Sequence, residues 1–383
     1  MLNLSLVQSV KILAGKGVIN QLGALLEEAE YKKPFLVFDE GMMQTGIIDK
    51  LVDILKEKEI ECVLYDKVLP DPPAYIINQG AQLCKDAYCD CVIAIGGGSS
   101  IDAAKGINIL RFNEGGILDY TSKPFEKCTG LITIPTTAGT GSELSNGAIV
   151  SDTENNVKVP LLTYNCMSEY TVLDPELTVG MPKGLTLITG LDVFSHAAEA
   201  YTSLVSNSTT DLICEKILQT VVEYLPIAVE NGSDIDAREK MQVAASLGGW
   251  MLYNACAHVG HSVSHVIGAN YHLPHGAACA YAFPGMIKFI TPSVPGKVKK
   301  IGEILGANFS GNERDIEIAE KTANAYINFR ESLGLKSVKE YNIDSSNLDQ
   351  LIQSVVNEPF ATFTPKKVTA EAAEIILKEA LGI

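Results

Sequence analysis

Residues 91–106 read CVIAIGGGSSIDAAKG. A short apolar run at 92–95 meets three glycines, Gly96, Gly97 and Gly98, and then a segment of helical composition, so the stretch reads as strand, tight turn, helix. Glycines let backbone N–H groups approach a phosphate closely, and a helix N-terminus adds a favourable field for it. A strand-to-helix turn that holds no ligand has the same composition. Ser99 and Asp102 stand at the S-x-x-D spacing of a capping box that starts the helix.

Outward from this stretch, short β-rich runs alternate with amphipathic segments, as an open α/β sheet requires. Strands are expected at 35–38, 61–64, 92–95, 131–134 and 171–173, with helices near 18–30, 46–59 and 74–86. The strands are near-continuous apolar runs, the mark of a sheet covered on both faces. The sequence GMPKG at 180–184 ends this pattern, and helical periodicity follows to a last helix at 368–381. A chain of 383 residues is long for a single core. The expectation is a Rossmann-like α/β domain over 1–180 and an all-α domain over 181–383.

A second loop follows the 131–134 strand: PTTAGTGSE at 135–143, dense in glycine and hydroxyls. Two such loops at strand ends of one sheet are where an open α/β domain binds its ligand. Asp39 ends the 35–38 strand. A carboxylate there can accept hydrogen bonds from an adenosine ribose and repel a 2′-phosphate, which favours NADH over NADPH; it also fits an ordinary loop acid. The acid precedes the glycine loop, whereas the usual dinucleotide fingerprint places it about 20 residues after.

All six histidines, His196, His258, His261, His265, His272 and His275, lie between Gly190 and Gly276. Asp192 and His196 are spaced i and i+4, which stacks them on one helical face. His258, His261 and His265 fall at i, i+3 and i+7 of a helix expected over 249–268, and His275 sits at a turn just past it. One carboxylate with three neutral imidazoles suits Zn(II) or Fe(II) and is too rich in nitrogen for Mg or Ca. Spacing alone leaves open which three histidines bind. Polar residues on solvated helix faces are the bland alternative.

Apolar residues make up 46% of the chain and charged ones 20%, the composition of a globular protein with a large interior. A net charge of −16, with no Lys/Arg cluster to override it, argues against a nucleic-acid or anionic-membrane partner. A small-molecule enzyme fits better. The start MLNLSLVQSVKILAG lacks a signal-peptide pattern and no apolar run reaches membrane-spanning length, so a cytoplasmic location is expected. Nine cysteines without CxxC spacing suit reduced, mostly buried thiols.

In order and at suitable intervals, Asp39, GGGSSIDAAKG at 96–106, PTTAGTGSE at 135–143, GLDVFSHAAEAY at 190–201, GHSVSHVIG at 260–268 and PHG at 274–276 resemble the iron-containing (group III) alcohol dehydrogenases. The resemblance covers essentially the whole chain. It implies a dehydroquinate synthase-like architecture, with an α/β dinucleotide domain followed by an all-helical metal domain. By motif position it implies metal ligation by Asp192, His196, His261 and His275, with His265 beside the nicotinamide as the catalytic proton relay. It implies NAD(H) binding by Asp39, Gly96, Gly97, Gly98, Ser99, Asp102, Thr136, Thr137, Thr140, Ser142 and, on weaker local sequence, Lys158. His258 and His272 lie outside the shared pattern and are expected to be structural or to support the ligands.

The implied reaction is reversible hydride transfer between NAD(H) and a small alcohol or aldehyde bound through its oxygen to Fe(II) or Zn(II), in a homodimer or higher homo-oligomer. Two departures and one further segment bear on the substrate more than the reaction. Cys279 stands where the family commonly has asparagine, Thr364-Pro365-Lys366 where it has an NPR tripeptide, and Asn146-Gly147 on a segment that approaches substrate in relatives. Competing readings are a glycerol dehydrogenase or dehydroquinate synthase-like enzyme, a metallohydrolase with a merely structural glycine loop, and a non-catalytic metal-binding protein.

Overall fold

Alternate residues of the central strands face opposite ways, and both faces are apolar. Phe35, Val37, Val92, Ala94 and Leu131 join one buried cluster, while Leu36, Phe38, Ile93, Ile95, Ile132 and Ile134 join another. Such strands can only be stable with a layer on each side. In the computed structural model, which describes residues 6–155, 157–341 and 343–383, that is the arrangement.

The strands are β1 (Lys11–Ala14), β2 (Pro34–Asp39), β3 (Val63–Val68), β4 (Cys91–Gly96), β5 (Leu131–Pro135), β6 (Gly147–Asp152), β7 (Val157–Leu162) and β8 (Tyr170–Leu173). Six form one sheet in the order β1-β8-β5-β4-β2-β3, with every pairing parallel. The helices α1 (Leu22–Glu28), α2 (Ile47–Lys56), α3 (Ala74–Asp86) and α4 (Gly98–Phe112) connect them. Side chains of α1 and α2 cover one face, those of α3 and α4 the other.

Beyond the sheet come α5 (Lys183–Thr202), α6 (Ser208–Glu230), α7 (Ile235–Ala255), α8 (Val259–Tyr271), α9 (His275–Ile290), α10 (Pro295–Ile304), α11 (Asp315–Ser332), α12 (Leu348–Asn357) and α13 (Ala370–Leu381). The chain divides into two compact units. Gln8–Met181 with Ser233–Gly249 make the first, and Pro182–Gly232 with Trp250–Ile383, joined by residues 6 and 7, make the second. The last six residues of α7 thus belong to the helical unit and the rest to the sheet unit. Among the described residues no helix is long and apolar enough to cross a membrane.

Three local expectations are corrected. The strand expected at 61–64 begins at Val63 and runs to Val68, with only every third residue fully buried, because β3 is an edge strand covered incompletely. The other edge, β1, and the antiparallel hairpin β6/β7 were not expected, because their apolar runs, Ile12–Ala14, Ala148–Val150 and Pro160–Leu162, are short and only partly buried. The capping box at Ser99 and Asp102 does not form. Gly97 occupies the cap position with no side-chain bond, Ser99 is already inside α4, and both oxygens of Asp102 are engaged elsewhere, by Ser142 Oγ at 2.5 Å and Ile149 N at 2.9 Å.

Candidate active site

In the sheet unit, β5, β4 and β2 are neighbours, so parallel pairing sets Asp39, Gly96 and Pro135 at the same end of three adjacent strands. Gly96 has φ +141, a conformation open to glycine and strained for other residues. The two loops seen in the sequence stand face to face. A Cβ on Gly97 would lie 3.2 Å from Thr137, and one on Gly98 would lie 2.9 Å from Thr140. Asp39 Oδ2 approaches the Gly96 Cβ position to 3.7 Å. Thr136 N donates to Gly96 O at 3.0 Å, tying the loops together.

Ser142 and Asp102 brace this loop pair through a residue the sequence reading passed over. Lys105, completely buried, donates to Ser142 Oγ at 3.3 Å, Ser145 O at 3.1 Å and Gly147 O at 2.6 Å. Burial lowers its pKa against the opposing pull of Asp102. Its place three residues after Asp102 on α4 was the available signal. Lys158, by contrast, is half-exposed and its Nζ lies 2.7 Å from Asp71.

In the helical unit, Asp192 and His196 lie one turn apart on α5, as their spacing requires. The single helix expected over 249–268 is two helices. Cys256 takes φ +59 between α7 and α8, which ends the first, and His258 becomes the non-helical cap of α8. His261 and His265 then lie one turn apart on α8. His275 is not in a turn but is the first residue of α9, just after Pro274. Gly276 follows because a Cβ there would overlap the Ile188 carbonyl oxygen of α5. Its absence lets α9 bring His275 against Asp192.

The result is a convergence of four side chains. Asp192 Oδ1 is 3.4 Å from His196 Nε2, 3.4 Å from His275 Nε2 and 4.0 Å from His261 Nε2. These separations are too long for hydrogen bonds, and this buried oxygen has no such partner among the described residues. Oxygen and nitrogen donors at about 2.0–2.2 Å from one ion at the tetrahedral angle stand about 3.4 Å apart. An orphaned buried carboxylate oxygen facing three imidazole nitrogens at that spacing fits a divalent transition-metal ion and wastes a desolvated charge without one. Burial pushes His196 down to about 4 against the pull of Asp192, so its ring is neutral. Asp192 is pushed up by burial, but the facing histidines outweigh this and hold it below the ordinary carboxylate range.

Each ring on α8 is oriented by a glutamate that sequence reading missed. Glu199 accepts from His261 Nδ1 at 2.6 Å and from the backbone N–H groups of His258 at 2.8 Å and His261 at 3.1 Å. Burial would raise its pKa, yet His261 and these donors hold it at about 2. As an ionised carboxylate can only accept, His261 carries a proton on Nδ1 and turns Nε2 toward Asp192; burial lowers the pKa of this ring, but Cys279 and Glu199 outweigh that and raise it well above the ordinary imidazole range. Glu199 falls at i+7 from Asp192 on α5, a spacing that could have revealed it. Glu358 does the same for His265, accepting from Nδ1 at 2.9 Å, and it also accepts from Ser262 Oγ and Phe360 N, each at 2.8 Å. Nothing local in NEPF announces this role.

His258 is buried, with Nε2 2.8 Å from Thr202 Oγ1, and supports the centre rather than facing it. His272 caps the end of α8 with φ +54. All nine cysteines are free thiols and seven are buried. Cys279, expected only to line or pack a pocket, has its Sγ 3.6 Å from His275 Nε2 and 3.9 Å from His261 Nε2.

The chain matches two family descriptions: "Iron-containing alcohol dehydrogenase" over residues 9–175 and "Fe-containing alcohol dehydrogenase family, C-terminal" over 186–381. It is 32% identical to the NAD-dependent methanol dehydrogenase of Bacillus methanolicus, over 96% of this chain and 97% of that one. It is 29% identical to the 1,3-propanediol dehydrogenase of Klebsiella pneumoniae, covering 96% of each. The solved structure of an alcohol dehydrogenase from Oenococcus oeni superposes with a TM-score of 0.93 at 30% identity, over 98% of this chain and 99% of that one. With both of its halves matched, the protein belongs to the iron-containing alcohol dehydrogenase family of oxidoreductases.

Proposed function

We propose that this protein interconverts a small primary alcohol and its aldehyde with NAD(H), at an Fe(II) or Zn(II) ion held by Asp192, His196, His261 and His275. The observation that carries the reading is the buried, unpartnered Asp192 Oδ1 with its three facing imidazole nitrogens. The ion supplies Lewis-acid polarisation of the alcohol or carbonyl oxygen, and the nicotinamide supplies or accepts the hydride.

The chain's own residues do the rest. Gly96, Gly97 and Gly98 offer the backbone approach for a pyrophosphate at the start of α4, with Ser99 beside them and Thr136, Thr137 and Thr140 on the facing loop. Asp102, Ser142 and Lys105 hold these loops in place. Asp39 meets the ribose hydroxyls and disfavours a 2′-phosphate, so NADH is used ahead of NADPH. Lys158 contacts the cofactor by exchanging its Asp71 partner.

Glu199 keeps His261 Nε2 free for the ion. Glu358 keeps the proton of His265 on Nδ1 and leaves Nε2 to take the proton released from the alcohol. The His265 side chain is about one-third exposed, which gives that proton a way to solvent. The protein acts as a homodimer or larger homo-oligomer, in the cytoplasm.

NADH oxidation by chelated protein refilled anaerobically with Fe(II) or Zn(II), across a panel of short and hydroxylated aldehydes, tests the reading. Turnover with one metal is expected; NADH binding without any turnover would refute the substrate class, and no NADH binding would move a metallohydrolase to the front. His261→Ala should lose ion and activity together. His265→Ala should keep the ion while turnover falls by about 10²–10⁴.

A further inference from the structure

The reaction proposed above needs one carboxylate and three imidazoles, and the structure offers a fifth donor. Cys279 lies on α9, one turn after His275, and its side chain is buried. The donor atoms of Asp192, His261, His275 and Cys279 all lie within 4.8 Å of one another. A sulfur at about 2.3 Å and a nitrogen at about 2.0–2.1 Å from one ion, about 120° apart as equatorial donors of a five-donor set, stand about 3.8 Å apart. Cys279 Sγ is 3.6 Å from His275 Nε2 and 3.9 Å from His261 Nε2. The thiol therefore occupies a donor position about the point that the unpartnered Asp192 Oδ1 faces.

We infer that Cys279 is a ligand of the same ion, so that this centre is a mixed carboxylate, imidazole and sulfur site selective for Zn(II) over Fe(II). The inference rests on the metal reading above and adds to it the donor that sets the preference. Sulfur is a softer donor than imidazole or carboxylate and favours zinc at a site of this kind. At present the thiol donates to Ser264 Oγ at 3.2 Å, and Ser264 Oγ donates to His261 O at 2.9 Å. On ligation the S–H bond breaks, a metal–sulfur bond forms and the proton passes to solvent; no oxidation or reduction is involved.

The charge consequence is definite. Asp192 alone leaves one unit of positive charge on a divalent centre, and a second anionic ligand removes it. A neutral centre polarises a bound oxygen less strongly. Cys279 would then trade electrophilic strength for metal retention.

Cobalt(II) loading of the chelated full-length chain tests this without reference to turnover. The expected result is one ion per chain, visible-region cobalt bands and a near-ultraviolet sulfur-to-cobalt charge-transfer band. Cys279→Ser should lose the charge-transfer band while keeping the stoichiometry. It should also lower zinc affinity by at least about tenfold, the effect that even an outer partner of a ligand has, and lower the preference for Zn(II) over Fe(II) in competition. Cobalt bound without the near-ultraviolet band in the wild type would overturn the sulfur ligand and leave the four-residue site standing. No cobalt bound would overturn both. The wild-type spectrum decides the question even where Cys279→Ser and Cys279→Ala fail to fold.

Discussion

Two buried glutamates, one in each unit, show how differently this protein treats the same side chain. Glu199, under His261, is surrounded by three N–H donors and is held ionised, its pKa brought to about 2 although burial alone would raise it. Glu143, in the glycine-rich loop of the sheet unit, is as deeply buried but accepts a side-chain bond from Ser246 Oγ, and burial prevails and raises its pKa. Desolvation is common to both; the donors around each carboxylate decide the direction of its shift. A carboxylate that must orient a ligand is built with donors on every side. One that closes a loop can be left nearly alone.

The contrast is broken most severely by Glu199→Ala. Three buried N–H groups lose their acceptor, each worth about 1–3 kcal/mol, so unfolding by urea should show a loss of about 3 kcal/mol or more. Chelator competition should show ion affinity lower by about 10–100-fold. A variant of unchanged stability would mean that solvent reaches those donors. Glu358→Gln comes next. His265 loses the anion that fixes its proton, and turnover should fall about tenfold with ion content unchanged, since on the proposed assignment Glu358 acts through a ring that does not bind the ion. Loss of the ion in this variant would make His265 a ligand.

The smallest effect sharpens the other side. Because the folded pKa of Glu143 lies above its ordinary value of 4.5, the folded state holds this proton more tightly than the unfolded chain. The resulting stability is complete below that ordinary value and is lost as pH rises through the window up to the folded pKa. Glu143→Gln, neutral and of similar shape, should abolish this slope and equal or exceed the wild-type stability at pH 8. A wild-type stability flat across that window would show that burial does not raise the pKa of Glu143.

Much of the site was legible because it is built from helical repeats and strand ends. Asp192 and His196 at i and i+4, the glycine loop at 96–98 and the hydroxyl-rich loop at 135–143 are local patterns with local causes. The central strands were legible because both of their faces are apolar. What escaped depends on residues distant in the chain. Glu358 meets His265 from 93 residues away, and no pattern in NEPF predicts it. The break at Cys256 rests on a positive φ in a segment with helical composition. Lys105 looked like an ordinary helix lysine until the β6 segment supplied the carbonyl of Gly147 above it. Glu199 was within reach, since it continues the Asp192 and His196 face, but a lone glutamate gives no sign of being buried.

Gly276 would turn the proposed metal centre into a strain gauge. With no room for a methyl group between α9 and the Ile188 carbonyl, the spacing of α5 and α9 and the position of His275 are one mechanical quantity. Phe194 on α5 and Phe283 on α9 set that spacing from inside the core, where their rings pack at 5.4 Å and both lean on Tyr326. Affinity for the proposed ion would then register repacking of a greasy aromatic wedge, and a titration with metal would read the tightness of the interior.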